Sequence, residues 1–207
     1  MGKIIYGFPP ITGPCPRVLI LGSMPSERSI EAGQYYGYPR NHFWEIIYFL
    51  LKKPLPSDYK QRVAGVQEAG IAIWDSIAGC RREGSLDQAI EDEVYNNVSE
   101  FITQHPTLRL VVFNGRKAEQ AFYAGVRQRE KPRAAENPPD KKTPAEDLTA
   151  GVAGQEGPDG TGRRGSDRIR FIRLPSTSPI PTRKYRRMED KIRDWKIIAD
   201  YLEGEEK

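Results

Sequence analysis

Apolar and polar residues alternate in blocks along this chain, and the blocks predict an alternation of strands and helices. "PRVLILGS" is a continuous apolar run closed by Gly and Ser, the pattern of a strand buried on both faces. "NHFWEIIYFLLK" carries apolar residues at helical spacing, with Asn41 placed as an N-cap. "QRVAGVQEAG" predicts a shorter helix closed by Gly70, and "IAIWDSI" a second strand ending at Asp75. "DEVYNNVSEFITQH" follows a 3.6-residue period up to Pro106 and predicts a helix. "LRLVVFNG" predicts a third strand, "RKAEQAFYAGV" the helix after it, "RIRFIRLPS" a fourth strand and "RRMEDKIRDWKIIADYLE" an amphipathic terminal helix.

This order predicts an α/β fold with a central, mostly parallel four-stranded sheet between two helical layers. Ligands of such sheets sit at the carboxyl ends of the strands. The residues to read are therefore Ser23-Met24-Pro25, Trp74-Asp75, Asn114-Gly115 and Pro175 to Ser178. Residues 128–168 interrupt the pattern. They are rich in Pro, Gly and charged residues and poor in large apolar ones, which predicts a disordered insertion within a single domain spanning 1–207.

Composition narrows the chemistry. The net charge is +4, and the 128–168 segment holds eight basic and eight acidic residues, so the whole excess lies outside it. Two cysteines cannot make a disulfide framework or ligate an iron–sulfur cluster, and two isolated histidines make a poor zinc site. No apolar run approaches a membrane span and the start shows no secretory pattern, so a cytoplasmic location is expected. No Gly-x-x-x-x-Gly-Lys or Gly-x-Gly-x-x-Gly run is present, which argues against nucleotide and dinucleotide binding.

Three stretches could carry chemistry. In "LILGSMPS", Gly22 allows close backbone approach and the following turn could aim amides at an anion or a carbonyl oxygen; taken alone, the stretch reads first as a plain strand exit. "LPSTSPIPTRKYRR" places hydroxyls at Ser176, Thr177 and Ser178, an apolar tip at Ile180, and cations at Arg183 and Lys184. That set suits phosphates, a base-stack wedge and a nucleic-acid backbone, or else a turn before a solvated basic helix face. "GQYYGYPRNHFW" gathers five rings on a Gly/Pro-broken segment. Phe43 and Trp44 read as core, whereas the tyrosines are harder to bury, and aromatic faces stack on nucleobases.

Taken in order, "GSMPS", "QYYGYPRNHFW", "GIAIWD", "GCRREGSLD", "FNGRKA" and "LPSTSP" resemble the uracil-DNA glycosylase superfamily, most closely its hypoxanthine-DNA (deoxyinosine) glycosylase branch, across residues 5–127 and 169–198. The "PRNHFW" element is also similar to the mismatch-specific uracil/thymine glycosylases. The resemblance implies a monomeric enzyme that flips a deaminated base out of double-stranded DNA and hydrolyses its bond to the sugar, without metal or organic cofactor. Where the first motif of the superfamily holds a water-activating Asp or Asn, this chain has Met24, and the resemblance passes the catalytic role to Asn41. It places Gly22, Ser23, Met24, Tyr36 and Asn114 around the base, with Tyr36 stacking on it and Asn114 reading its edge. It gives Ser176 and Ser178 to the phosphates and Ile180 to the wedge, with Thr177, Arg183 and Lys184 among the DNA-binding residues. Asp75 is expected to be structural, and His42 is given no chemistry. Met24 keeps open a second class, a DNA-binding module without catalysis; a small-molecule nucleoside hydrolase is the third.

Overall fold

The computed structural model describes residues 4–130 and 169–204. Its backbone is a parallel sheet of four strands, β2 (Val18–Gly22), β3 (Ile71–Asp75), β6 (Leu110–Asn114) and β7 (Arg170–Leu174), in the order β3-β2-β6-β7. The chain winds from β2 outward to β3 and later from β6 outward to β7. The two windings diverge between β2 and β6, so the carboxyl ends of these strands frame a crevice.

Alternation along each strand separates two cores. Val18, Ile20, Ile71, Ile73, Leu110 and Val112 face one side. There they meet α2 (Phe43–Leu50), α3 (Tyr59–Glu68), α6 (Met188–Trp195) and α7 (Ile197–Glu203). Leu19, Leu21, Val111 and Phe113 face the other side, against α4 (Val98–Gln104) and α5 (Arg116–Glu130). The result is the three-layer αβα arrangement expected from the sequence.

Three features were not expected. A second, antiparallel sheet, β1-β4-β5, joins Ile5–Tyr6, Ile77–Arg81 and Glu91–Tyr95. The helix expected from Asp92 is therefore a strand up to Tyr95, and α4 begins only at Val98. Asn97 caps α4, its side chain accepting from the Glu100 amide. Cross-strand pairing with β4 outweighs the local helical period here. A six-residue helix, α1 (Glu27–Ala32), follows the first strand-end turn, capped by Ser26 and closed by Gly33. The terminal helix divides at Lys196 into α6 and α7. The expected insertion lies outside the described residues from 131 to 168; its first three residues, 128–130, end α5.

Candidate active site

A buried carboxyl lies where β2 and β3 end side by side. Gly22 and Asp75 are partners in the parallel register. Asp75 is 4% exposed, and its carboxyl has no hydrogen bond among the described residues; Oδ2 is fully buried. A Cβ on Gly22 would stand 2.3 Å from Asp75 Oδ1 and 3.2 Å from the Tyr36 hydroxyl oxygen, so only glycine lets these two groups close over the strand end. Burial, and next the neighbouring Asp87 carboxylate, push the Asp75 carboxyl up to about 8, with Arg82 opposing. Asp75 is thus a neutral acid at physiological pH. Ser23 turns the other way, donating from its hydroxyl to Asp87 Oδ1 at 2.7 Å.

Tyr36 forms the adjoining wall. Its backbone is left-handed at φ 53°, which is strained for a bulky residue. Two contacts hold it there. One ring face stacks on Phe43 at a centroid distance of 3.7 Å, and its hydroxyl oxygen accepts from Asn114 Nδ2 at 3.1 Å. Burial first, then the Asp75 charge, hold the phenol well above its ordinary range, so it stays neutral. Tyr35, its neighbour, belongs to the core and donates its hydroxyl to backbone carbonyls of Phe8 and Pro9.

Asn114 ties the wall to the hydroxyl-rich loop. Its Nδ2 also donates to Thr177 Oγ1 at 3.0 Å, and its Oδ1 accepts from the Thr177 amide at 2.8 Å. Each polar end of this amide therefore already has a protein partner, which makes Asn114 a brace between Tyr36 and the loop. Gly115, at φ 100°, lets the loop close in, since a Cβ there would stand 3.1 Å from Ser176 Cβ. Thr177, expected among the DNA contacts, is fully buried and engaged with Asn114. It has no surface to offer DNA and is corrected to a structural role.

Asn41 lies on the other side of this loop. The expectation that it caps the helix holds in altered form. His42 occupies the cap position without a side-chain bond, while Asn41 Oδ1 accepts from the Phe43 amide at 3.0 Å. The His42 amide donates to Thr177 O at 3.1 Å, which links the Asn41 turn to the loop. Asn41 is partly exposed, and its Nδ2 group has no partner among the described residues. It can hold a water molecule while Oδ1 anchors the side chain.

The remaining expected residues divide by exposure. Met24 is 7% exposed and packs with Ile77, Cys80, Ile90 and Ala121, so its side chain belongs to a core cluster and only its backbone can border a pocket. Ser176 and Ile180 are exposed, Ile180 at 58%, and Ser178 is partly so. Arg183 is exposed; Lys184 lies 3.5 Å from Asp194 and over the Tyr185 ring. A separate groove of about 360 Å³ is lined by Phe8, Pro10, Tyr35 and Tyr59 and includes none of the strand-end residues. Among the described residues no group of acidic, His or Cys side chains could hold a metal ion, and no helix is long and apolar enough to cross a membrane.

The sequence reading undervalued Asp75 and missed Lys191. Both carry a legible signal. Asp75 closes a strand that is otherwise wholly apolar. Lys191 occupies a position on the apolar face of "MEDKIRDW", beside Ile192 and four residues before Trp195.

Comparison with known proteins agrees with this fold. The family model described as the uracil DNA glycosylase superfamily matches residues 9–200. A protein of Methanosarcina barkeri named hypoxanthine DNA glycosylase is 39% identical over 113 residues, 54% of this chain and 72% of its own. A protein of the same name from Methanosarcina acetivorans is 40% identical over the same shares. A solution NMR structure of a candidate uracil DNA glycosylase from Methanosarcina acetivorans superposes with a TM-score of 0.66 at 27% identity, covering 97% of this chain and 99% of that one. With the match running over nearly the whole length, the chain belongs to the uracil DNA glycosylase superfamily.

Proposed function

We propose that this protein removes hypoxanthine from deoxyinosine in double-stranded DNA by hydrolysing the N-glycosidic bond, leaving an abasic site for base-excision repair. The observation that carries the reading is the buried, unpartnered Asp75 carboxyl at the strand ends. Burying a polar group without a hydrogen bond costs on the order of 1–3 kcal/mol. A fold keeps such a group where a ligand completes it.

The neutral carboxyl has one donor and one acceptor side by side; Oδ2 is closed off in the free protein, so base entry has to open the strand end before both oxygens are met. Hypoxanthine presents the complement, an O6 acceptor beside an N1–H donor. Uracil carries the same pair at O4 and N3–H, so it is the second substrate of this reading. Tyr36 keeps one face on Phe43, and its other face would stack on an extruded base. Asn41 would place water against C1′. The bond breaks through an oxocarbenium-like sugar, so a well-placed neutral water suffices and a strong base is not needed. The water loses its proton to solvent as the departing purine takes one up, and hydrogen bonds at O6 spread the charge developing on the ring.

The test is base release from duplexes carrying single deoxyinosine, deoxyuridine, deoxyxanthosine or mismatched thymidine, with Asn41→Ala alongside. Free hypoxanthine, an abasic strand cut only after alkali, and no borohydride-trapped adduct are expected. Salt-sensitive DNA binding without release of any base would favour the non-catalytic module and refute the proposal.

A further inference from the structure

The loop between β4 and β5 grips the first strand-end turn at three points. Arg82 Nη2 donates to Pro25 O at 2.5 Å, the Glu27 amide donates to Ser85 Oγ at 3.1 Å, and Ser23 Oγ donates to Asp87 Oδ1 at 2.7 Å. The turn they hold begins at Gly22, the register partner of Asp75. One cation and one anion are thus fixed to the same short turn beside the buried carboxyl.

The cation is not paired with the acid. Arg82 Nε and Nη1 are buried without a partner, as is Asp75 Oδ2, yet the two side chains form no ion pair among the described residues. A guanidinium in direct contact would hold Asp75 ionised. Here the Pro25 carbonyl holds that guanidinium instead. Asp87 is exposed and makes no ion pair among the described residues either, so its charge is not cancelled by a neighbour. The remaining groups around Asp75 are neutral. Burial first, then the Asp75 charge, keep the Tyr35 and Tyr36 phenols protonated. Asn96 donates only to the Asp75 main-chain oxygen, at 2.8 Å. Beyond burial itself, the proton on Asp75 is therefore governed by Asp87, which favours it, and Arg82, which opposes it.

That proton decides which base edge the carboxyl fits. A protonated carboxyl meets a carbonyl beside an N–H, as in hypoxanthine. A carboxylate only accepts, and it fits two adjacent donors. Guanine, the undamaged purine that differs from hypoxanthine by one amino group, presents that edge through N1–H and N2–H2. An ionised pocket would favour the undamaged base.

We propose that Asp87 is a positioning residue that sets base specificity: anchored on Ser23, it opposes a second negative charge at Asp75 and keeps the pocket from becoming a guanine site. Asp87 acts through Asp75 and does not touch the base. Arg82 is its counterweight, and its bond to Pro25 O ties the turn down without ionising the acid. This inference rests on the glycosylase reading, in which Asp75 meets the base.

The experiment follows single-turnover base release from a deoxyinosine duplex against pH. The full chain is compared with Asp87→Asn, Arg82→Met and Arg82→Lys, each also made in the Asp75→Asn background. Removing the nearby anion eases ionisation of Asp75, so Asp87→Asn should move the wild-type decline from about pH 8 to lower pH. Removing the cation hinders ionisation, so Arg82→Met should move the decline to higher pH, and Arg82→Lys should restore the wild-type profile. In the Asp75→Asn background none of the three should move a midpoint. Damage to loop packing alone would lower release at every pH and shift nothing. Equilibrium binding to duplexes with a non-cleavable inosine or guanosine opposite thymine reads the specificity. Between the two midpoints, Asp87→Asn should lose about 10–100-fold of the preference for hypoxanthine over guanine, the range of one hydrogen bond to a charged group. Midpoints that stay fixed, or that move the same way in Asp87→Asn and Arg82→Met, would overturn the proposal and leave the glycosylase reading intact. An unchanged base preference in Asp87→Asn would do the same. A wild type that releases no base from any lesion duplex would refute the reading itself.

Discussion

Replacing Asp75 by asparagine separates the charge of this group from its hydrogen-bonding pattern. The folded carboxyl titrates at about 8, against an ordinary value of 3.8. Between these values the folded chain holds a proton that the unfolded chain has released. Stability therefore falls as pH rises, by about 1.4 kcal/mol per unit. From about pH 5 to about pH 8 the loss amounts to about 4 kcal/mol. For a domain of this size 1 kcal/mol moves Tm by about 2–4 °C, so this site alone lowers Tm by about 10 °C over that range. Asp75→Asn has no proton to lose, and its Tm should gain on the wild type by that amount between the two ends. Thermal melts of both proteins in matched buffers check this. A Tm gap that stays constant with pH would refute the assignment of a neutral, buried acid. Activity should follow the same logic. The amide offers the same donor–acceptor pair, so Asp75→Asn should keep most hypoxanthine release and lose the decline that the wild type shows above about pH 8. Asp75→Leu should abolish release.

Further outcomes are expected elsewhere in the site. Asn41→Ala should lower single-turnover base release about 10²–10³-fold with DNA affinity retained, measured by quench kinetics beside equilibrium binding. Gly22→Ala drives a methyl to 2.3 Å from Asp75 Oδ1; it should destabilise the fold by about 1–3 kcal/mol in denaturant melts and suppress release. Asn114→Ala removes the three bonds that join Tyr36 and Thr177, and about 3 kcal/mol of stability should go with them. Ile180→Ala should weaken binding to lesion duplex without changing the rate of release from single-stranded substrate, where no stack has to be opened.

Much of the fold was legible because buried parallel strands read as plain apolar runs. Val18–Gly22, Ile71–Asp75 and Leu110–Asn114 lie within the runs expected for them. What escaped depended on contacts distant in sequence. Glu91–Tyr95 has a helical period but pairs with β4, and β4 itself is a mixed stretch, "IAGCR", that no pattern marks. The site divides along the same line. Asn41, Tyr36 and Ile180, singled out by motif and by an apolar tip among polar neighbours, each keep exposed surface, and their roles remain part of the proposal. Asn114 and Thr177 looked like groups facing a ligand, but an amide and a threonine at facing loop ends satisfy each other. Asp75 and Lys191 were undervalued or missed because sequence shows a charged residue's type and not its burial; only the packed structure shows both side chains buried without an ion pair among the described residues.

The most direct test of the central claim is a crystal structure with a duplex holding a non-cleavable deoxyinosine. The account expects the purine out of the helix, stacked on the open face of Tyr36, with N1 and O6 against Asp75 and C1′ facing the Asn41 amide. A purine still paired within the duplex, or one lodged in the groove between Phe8 and Tyr59, would contradict it.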